Sequence, residues 1–570
     1  MFLSDKVFKY ASFSSIISQL ISLKILDEQA LQNEHIDYLN DYLNFIGAKS
    51  YILEKEYIDH DYMEDYTRYY ARCFQKYPKW CSRIIFFNKK INIDKIKEGI
   101  IQNKTSIIKK LQQDFIGFIV IRPIPKTLLG KVCLKVYPTK NDLTSNRVFP
   151  VLREYKIHFL GIELVVESLA FQEQDNAIAA CATSALWSAL HAIGYNWGKN
   201  YISSPSEITQ NAKKIIDKHT GNSSFPHKGL QPSQMAQAIK DEGFEPLTTG
   251  FINTSYLKAI IRGYMNAHIP IIIGVRLMYE NEEGVRKDGI PRSVPIGFHA
   301  VTINGYNIDK SISPKIFSIE DLAVHTDFKK RKDLRMFSSR INKLYVHDDR
   351  LGPFVKMEFK DEYYQRLETH WYEYTSKDKV NADVNIILLP LYHKIRIKFH
   401  SIFHIIYDFN TYYMNGWEDI EWDIRLFTVC HLKKEWMKLE DDEIEDSDLK
   451  LNLLSLHLPK FIWVATALNS GKEKKIFSLL FDATDLDNSN FFIYAVHYNI
   501  ESFYMTYINA QLAKEYNAKD EDNLYNYQSY KILSQHLDLK SKKILKPENN
   551  NSDTDKIISM LSSKIKKDHQ

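Results

Sequence analysis

The sequence predicts an α+β fold in which a cysteine-bearing helix packs on an antiparallel sheet. Residues 181–194 are rich in Ala and Leu and end at a glycine, which is typical of a buried helix. Its apolar residues lie at the spacing of one helical face: Leu186, Leu190 and Ile193. Two alternating segments downstream, 295–307 and 341–354, indicate strands, each with a turn signal at or near its end. Helix and strand patterns on both sides of this central region predict flanking α/β N- and C-terminal domains.

Length and amino-acid composition limit the classes of protein to which the chain can belong. With 570 residues, 44% of them hydrophobic, the chain is long enough for two to four packed domains. The 75 basic and 71 acidic residues give a net charge of +4, so neither nucleic acid nor an anionic membrane is expected as an obligatory partner. Five cysteines without a CxxC pair suggest a reducing compartment, and no window is apolar enough to span a membrane. We therefore expect a cytoplasmic protein.

The N-terminal region predicts both helices and strands. Residues 1–47 carry apolar residues at helical intervals, and the Tyr-rich, charged segment 51–81 suggests an amphipathic helix of about thirty residues. A single helix is expected over 94–113, followed by a hairpin that includes Ile119–Ile121 and Val132–Val136. A second hairpin over 148–171 leads directly into the cysteine helix.

Three residue types in the central region can support nucleophilic catalysis. Cys181 is predicted in the first turns of its helix, where the helix dipole favours thiolate, whereas burial would oppose it. His299 is predicted near the start of the first downstream strand. Alternation along the second strand places Asp348 on the side of the buried residues, whereas Asp349 is expected to cap the following turn. The competing interpretation is that Cys181 is a small core residue. His347 and His191 are rival imidazoles, of which His191 is expected to be packed.

These motifs resemble those of papain-like cysteine peptidases, most closely the bacterial C39-like branch. The matching stretches cover roughly 170–360: Gln174 upstream of ACATSALWSAL, the strand FHAVTINGY, and YVHDDRLGPF. The resemblance implies a papain-like catalytic domain in which Cys181 is the nucleophile, His299 the general base and Asp348 the orienting group. It also implies that Gln174 contributes to an oxyanion hole and that no cofactor is required.

We predict four segments: an N-terminal domain (1–147), the peptidase-like domain (148–369), a C-terminal domain (370–539) and a flexible Lys-rich tail (540–570). The tail contains a short amphipathic pattern that could dock on a protein partner. His393, His400 and His404 invite a metal interpretation, but the strand-like KIRIKF between the first two favours structural histidines, so no metal site is predicted.

The predicted activity is that of a thiol protease, a hydrolase that cleaves a peptide or isopeptide bond in a protein or peptide substrate. The same triad serves acyl transfer and transglutamination, and a papain-like fold can also be kept as a non-catalytic binding or scaffold module. The presence of all three residue types favours the enzyme.

Overall fold

The computed structural model describes residues 7–498 apart from 125, 139–144, 176–180, 197, 199–200, 215–228, 252, 286–290, 315, 318–333, 362–365, 372–379, 414–419, 441–446, 471–473 and 487–490. The predicted tail at 540–570 and its docking helix lie outside the described residues. The fold is mixed α+β with several antiparallel sheets, which confirms the predicted class at that level. Within the described residues, no helix combines the length and apolar character needed to cross a membrane.

The helices are numbered in chain order. They are α1 Phe13–Ser22, α2 His35–Phe45, α3 His60–Arg68, α4 Ile93–Ile101, α5 Thr105–Asp114, α6 Cys181–Asn196, α7 Pro205–Ala212, α8 Pro232–Asp241, α9 Thr254–Met265, α10 Phe399–Tyr413, α11 Val429–Met437 and α12 Ser447–Ser455.

The strands are numbered in the same way. They are β1 Val7–Lys9, β2 Ser50–Tyr57, β3 Cys81–Phe87, β4 Phe115–Ile121, β5 Leu129–Leu134, β6 Ser145–Val148, β7 Arg153–Phe159, β8 Ile162–Ser168, β9 Glu245–Thr249, β10 Ile271–Val285, β11 Pro291–Asp309, β12 Ile316–Phe317, β13 Leu334–Arg335, β14 Ile341–Asp348, β15 Gly352–Asp361, β16 Arg366–Thr369, β17 Val380–Leu391, β18 Ile420–Thr428, β19 Phe461–Asn469, β20 Lys475–Asp482 and β21 Phe492–His497.

The chain forms two compact units. Unit 1 contains the described residues of Met1–Phe251, His268–Lys310 and Ile341–Leu391, and unit 2 contains those of Ile252–Ala267, Ser311–Arg340 and Tyr392–Gln570. This grouping differs from the predicted segments, because the first 147 residues belong to the same unit as the cysteine helix. Backbone hydrogen bonds of 2.9 and 3.0 Å between Val132 and Phe171 join the first sheet to the segment before that helix.

The N-terminal part of unit 1 is a five-stranded sheet in the order β1-β2-β3-β4-β5. The prediction of one long helix over 51–81 is wrong, because strand β2 occupies the first part of this segment and the short helix α3 follows it. The strand is stabilised where Glu54 accepts a hydrogen bond of 2.5 Å from Arg83 of β3, which neutralises a carboxylate inside the sheet. The single helix predicted over 94–113 is two helices, α4 and α5, separated at Asn103, whose φ is +51°.

The central sheet of unit 1 has eight strands and positions the candidate site. Its order is β10-β11-β14-β15-β16-β17-β9, with β6 on β11, and an additional pairing of β10 with β17 closes it on itself.

The predicted hairpin over 148–171 is confirmed as the separate two-stranded sheet of β7 and β8. Its turn at Leu160 and Gly161 has φ values of +49° and +79°, the left-handed backbone of a tight hairpin.

Unit 2 contains a four-stranded sheet in the order β18-β19-β20-β21, packed with helix α9. Apolar segments over 422–436, 460–469, 477–487 and 490–498 predict strands, and the structure has a strand in each. The first segment turns helical at Val429, where the Thr428 hydroxyl accepts a hydrogen bond of 3.2 Å from the His431 amide. KIRIKF is a turn segment and not a strand. His400 and His404 share α10, and His400 Nδ1 lies 2.9 Å from the Tyr256 hydroxyl.

Candidate active site

Cys181 is the first residue of helix α6, as predicted. The helix is fixed on the central sheet because the Thr302 hydroxyl of β11 donates a hydrogen bond of 2.7 Å to the Ala185 carbonyl. Leu186 and Leu190 are almost completely buried, whereas Cys181 is only partly buried. The thiol therefore lies at the first residue of a helix whose apolar body is anchored in the core.

His299 connects this thiol to an acidic turn. It lies within β11, paired with Val275 of β10, and is 5% exposed. Its Nε2 lies 2.9 Å from Asp348 Oδ1, and its imidazole is close enough to the Cys181 thiol for the two groups to interact. Because Asp348 occupies Nε2, we assign Nδ1 to the thiol. Burial lowers the pKa of His299, but Asp349, Asp348 and the thiol outweigh it and raise the pKa well above its usual value.

Asp348 is held in a fixed orientation at the end of β14. It is fully buried, its Oδ2 accepts a hydrogen bond of 2.8 Å from Trp371 Nε1, and its Oδ1 accepts one of 3.0 Å from the Arg350 amide. Burial raises the pKa of Asp348, but the neighbouring His299 imidazole and these donors lower it below its usual value. The Trp371 ring also packs edge-on against His299 at 5.6 Å. Asp348 is thus positioned to orient the imidazole, as a third triad member must be.

Asp349 does not cap the turn after β14 as predicted. We expected it to cap the turn, but Asp348 accepts the Arg350 amide instead, and Asp349 Oδ1 lies 3.3 Å from His299 Nε2. Asp349 is 4% exposed, and neither of its carboxylate oxygens has a hydrogen-bond partner among the described residues. Burial raises the pKa of Asp349 to about 6. The imidazole therefore faces two carboxylates, of which only Asp348 is held by other groups.

Gln174 lies in the segment before α6 and is partly buried. Its neighbour Glu173 is anchored by hydrogen bonds of 2.8 Å from the Leu129 amide and 3.0 Å from Asn33 Nδ2, and the Glu173 carbonyl accepts one of 3.2 Å from Arg122. These contacts fix the backbone next to Gln174. Its place in an oxyanion hole stays a prediction.

His35 is a residue of the site region that the sequence did not predict. From helix α2, its Nδ1 lies 2.7 Å from the Leu351 carbonyl and its Nε2 lies 3.4 Å from Glu173 Oε1. It therefore links the segment before Cys181 to the turn after Asp348. Burial lowers the pKa of His35, but Glu173, Leu351 and Asp349 outweigh it and raise the pKa. No local pattern in the sequence distinguishes this histidine from a surface residue.

The two histidines considered as alternatives to His299, His347 and His191, are both buried. His347 Nδ1 lies 3.0 Å from Asn304 Nδ2, its Nε2 donates a hydrogen bond of 3.1 Å to the Leu169 carbonyl, and burial lowers its pKa to about 3. His191 packs at 4.2 Å from the Trp187 ring and is buried. These contacts are with structural neighbours, and His191 is packed as predicted.

Comparison with known proteins identifies no family. A scan against models of protein families finds no match, and a search of curated proteins finds none. The assignment of a function therefore depends on the chemistry of the residues described above.

Proposed function

We propose that this chain is a papain-like cysteine hydrolase that cleaves a peptide or isopeptide bond. The observation that supports the proposal is that the His299 imidazole interacts with the Cys181 thiol and also with Asp348, whose Oδ1 lies 2.9 Å from His299 Nε2. A thiol at a helix N-terminus, an imidazole and a buried carboxylate, in that order, provide a nucleophile, a base and an orienting group. The five cysteines are free thiols, consistent with the cytoplasmic location that we propose.

The proposed reaction begins with transfer of the Cys181 proton to His299, which Asp348 stabilises as imidazolium. The thiolate attacks the substrate carbonyl, and the Cys181 amide and Gln174 side chain donate hydrogen bonds to the oxyanion. The imidazolium then protonates the departing amine, leaving a thioester on Cys181. Water, deprotonated by His299, attacks the thioester, releases the carboxylic acid and restores the thiol.

The first test is labelling with an electrophilic thiol probe at neutral pH, with each modified cysteine identified by mass spectrometry. We expect Cys181 to react at least tenfold faster than the other thiols, because its thiol interacts with the His299 imidazole, whereas Cys430 shares only the position in the first turn of a helix. Cys430 provides the matched control, since it is exposed. Cys430→Ala should leave the fast labelling in place, and Cys181→Ala should remove it. Equal reactivity of Cys181 and Cys430 would rule out an activated thiol.

The second test identifies the substrate class. A Cys181→Ala variant used as bait should retain a protein or peptide that the wild-type chain releases after cleavage. Mass spectrometry of the wild-type products separates hydrolysis, which leaves a new carboxylate, from acyl transfer, which joins the acyl group to an added amine. A bound partner that the wild-type chain neither cleaves nor modifies would favour the scaffold alternative.

A further inference from the structure

Asp349 is a buried acidic group that the proposed triad does not use. Both of its oxygens lack a hydrogen-bond partner among the described residues, although the residue is only 4% exposed. A buried carboxylate without a hydrogen-bond donor is unfavourable, and native structures rarely leave one uncompensated. His299 Nε2 lies 3.3 Å from Asp349 Oδ1, within ion-pair distance. A metal cation beside this oxygen would compensate the buried negative charge of the Asp349 carboxylate.

The surrounding atoms have the spacing of a metal site. One ligand atom from each of His299, Asp348 and Asp349 lies within 4.8 Å of the other two. His299 Nε2 is 2.9 Å from Asp348 Oδ1 and 3.3 Å from Asp349 Oδ1. Ligand atoms around a tetrahedral zinc ion are separated by about 3.4 Å, so small side-chain shifts would suffice. All three residues are buried, which limits their freedom before binding: His299 and Asp348 extend from the adjacent strands β11 and β14, and Asp349 lies in the turn after β14.

The donor set favours a particular class of metal. One imidazole nitrogen and two carboxylate oxygens suit Zn²⁺ and related divalent transition metals, and two carboxylates balance the charge of a divalent ion. We propose that His299, Asp348 and Asp349 form an inhibitory site for a divalent transition-metal ion of the zinc type. The fourth ligand would be water.

The inhibitory consequence rests on the proposed function. A metal bound at Nε2 displaces the proton from that nitrogen into solvent and leaves the remaining ring proton on Nδ1. Nδ1 is the nitrogen that we assign to Cys181, so the metal-bound ring cannot accept the thiol proton. Metal binding therefore removes the general base without any contact between the metal and the sulfur.

Zinc binding is tested directly on the full-length chain after treatment with a chelator and its removal. Zn²⁺ is titrated in competition with a chromophoric chelator, so the measurement does not depend on activity. We expect Asp349→Asn to weaken the tightest site at least tenfold, because the amide keeps the shape but loses the charge. The matched control is Asp309→Asn on β11, where Asn342 Nδ2 donates a hydrogen bond of 3.2 Å to Asp309 and an amide oxygen can still accept it. This control should keep the wild-type affinity.

Two further measurements separate this site from simple binding of zinc to the thiol. Cys181→Ala should bind zinc within about threefold of wild type, whereas a Cys181-based site would be lost. In wild type, saturating zinc should slow labelling of Cys181 at least tenfold, with recovery after addition of chelator. The same zinc concentration should leave labelling of Asp349→Asn unaffected. Equal zinc affinity of wild type and Asp349→Asn, with both variants folded by circular dichroism, would overturn the metal site.

The two proposals fail in different ways. If Cys181 is unreactive in metal-free protein, the catalytic proposal fails, whatever the zinc titration shows. If Cys181 is reactive but zinc binding does not depend on Asp349, the metal proposal alone fails.

Discussion

Buried carboxylates in the sheet of unit 2 are paired with arginine, whereas those around the candidate site of unit 1 face histidine, tryptophan or backbone amides. Asp423 accepts hydrogen bonds of 2.6 and 2.7 Å from Arg262, with Arg425 at 3.0 Å. Glu421 accepts two hydrogen bonds from Arg340. Arginine stays charged at every pH at which the protein is folded, so these partners of the carboxylates do not lose their positive charge.

Some buried groups of unit 1 respond to pH instead. Burial raises the pKa of Asp423, but its two arginines outweigh it and lower the pKa. Asp65, 3% exposed, accepts a 3.2 Å hydrogen bond from the Ser206 amide, and burial raises its pKa to about 8. The difference indicates that the arginine pairs of unit 2 serve stability, whereas unit 1 holds buried groups that can change charge. Each of the following predictions tests that contrast.

The largest effect is expected from Arg340→Met. It leaves Glu421, which is 2% exposed, without its two hydrogen-bond donors. Breaking a buried pair on one side costs about 3–5 kcal/mol in the free energy of unfolding, measured by urea denaturation. The double variant Arg340→Met/Glu421→Leu should recover most of the loss, because no charge is then left buried. If the single variant is as stable as wild type, this pair does not stabilise unit 2.

A smaller effect, with a distinct pH dependence, is expected from Asp65→Asn. The unfolded chain loses this proton near pH 3.8 and the folded chain near 8, so wild-type stability is full below about pH 4 and falls up to about pH 8. Asp65→Asn should therefore be more stable than wild type at pH 8 by more than about 1.4 kcal/mol, the equivalent of one pKa unit. The advantage should vanish at pH 4. Thermal unfolding at the two pH values measures it, and a pH-independent difference would contradict the assignment.

His35→Gln tests the link between the segment before Cys181 and the turn after Asp348. Removing the imidazole should cost about 1 kcal/mol of stability, the typical net value of a hydrogen bond. Because the folded-state pKa of His35 is raised, its pairing with Glu173 is fully present below about pH 6.5, and it is lost as the pH rises through the folded pKa. The variant should therefore differ most from wild type in acid, and least in alkali. Labelling of Cys181 at each pH shows whether the link also positions the site.

The sequence predicted the elements that carry the site because local periodicity determines them. The apolar spacing after Cys181 predicts the helix, which the structure confirms, whereas residues 344–348 are all buried, so burial does not alternate along this part of β14. Strand β2 was missed because its Tyr-rich, charged pattern also fits a helix. Its partner Arg83, which neutralises Glu54, lies 29 residues away.

The supporting residues of the site could not be predicted, because tertiary contacts alone define them. His35 and Leu351 are 316 positions apart in the sequence. Trp371 lies 23 positions after Asp348 and beyond two further strands of the sheet, so its donation to Oδ2 has no local signature. The choice of Asp348 over Asp349 followed from alternation, but the orientation of Asp349 toward the imidazole depends on the turn geometry.

The smallest effect is expected from Lys156→Ala on the hairpin of unit 1. Lys156 Nζ lies 3.0 Å from Glu163 Oε1, as close as some of the buried pairs, but the two side chains are 55% and 45% exposed. Water and salt screen such a pair, so the free energy of unfolding should change by less than about 0.5 kcal/mol. Urea denaturation at low and high salt measures this. A loss comparable to that of Arg340→Met would show that short ion-pair distance, and not burial, sets the contribution, and the contrast between the two regions would then lose its physical basis.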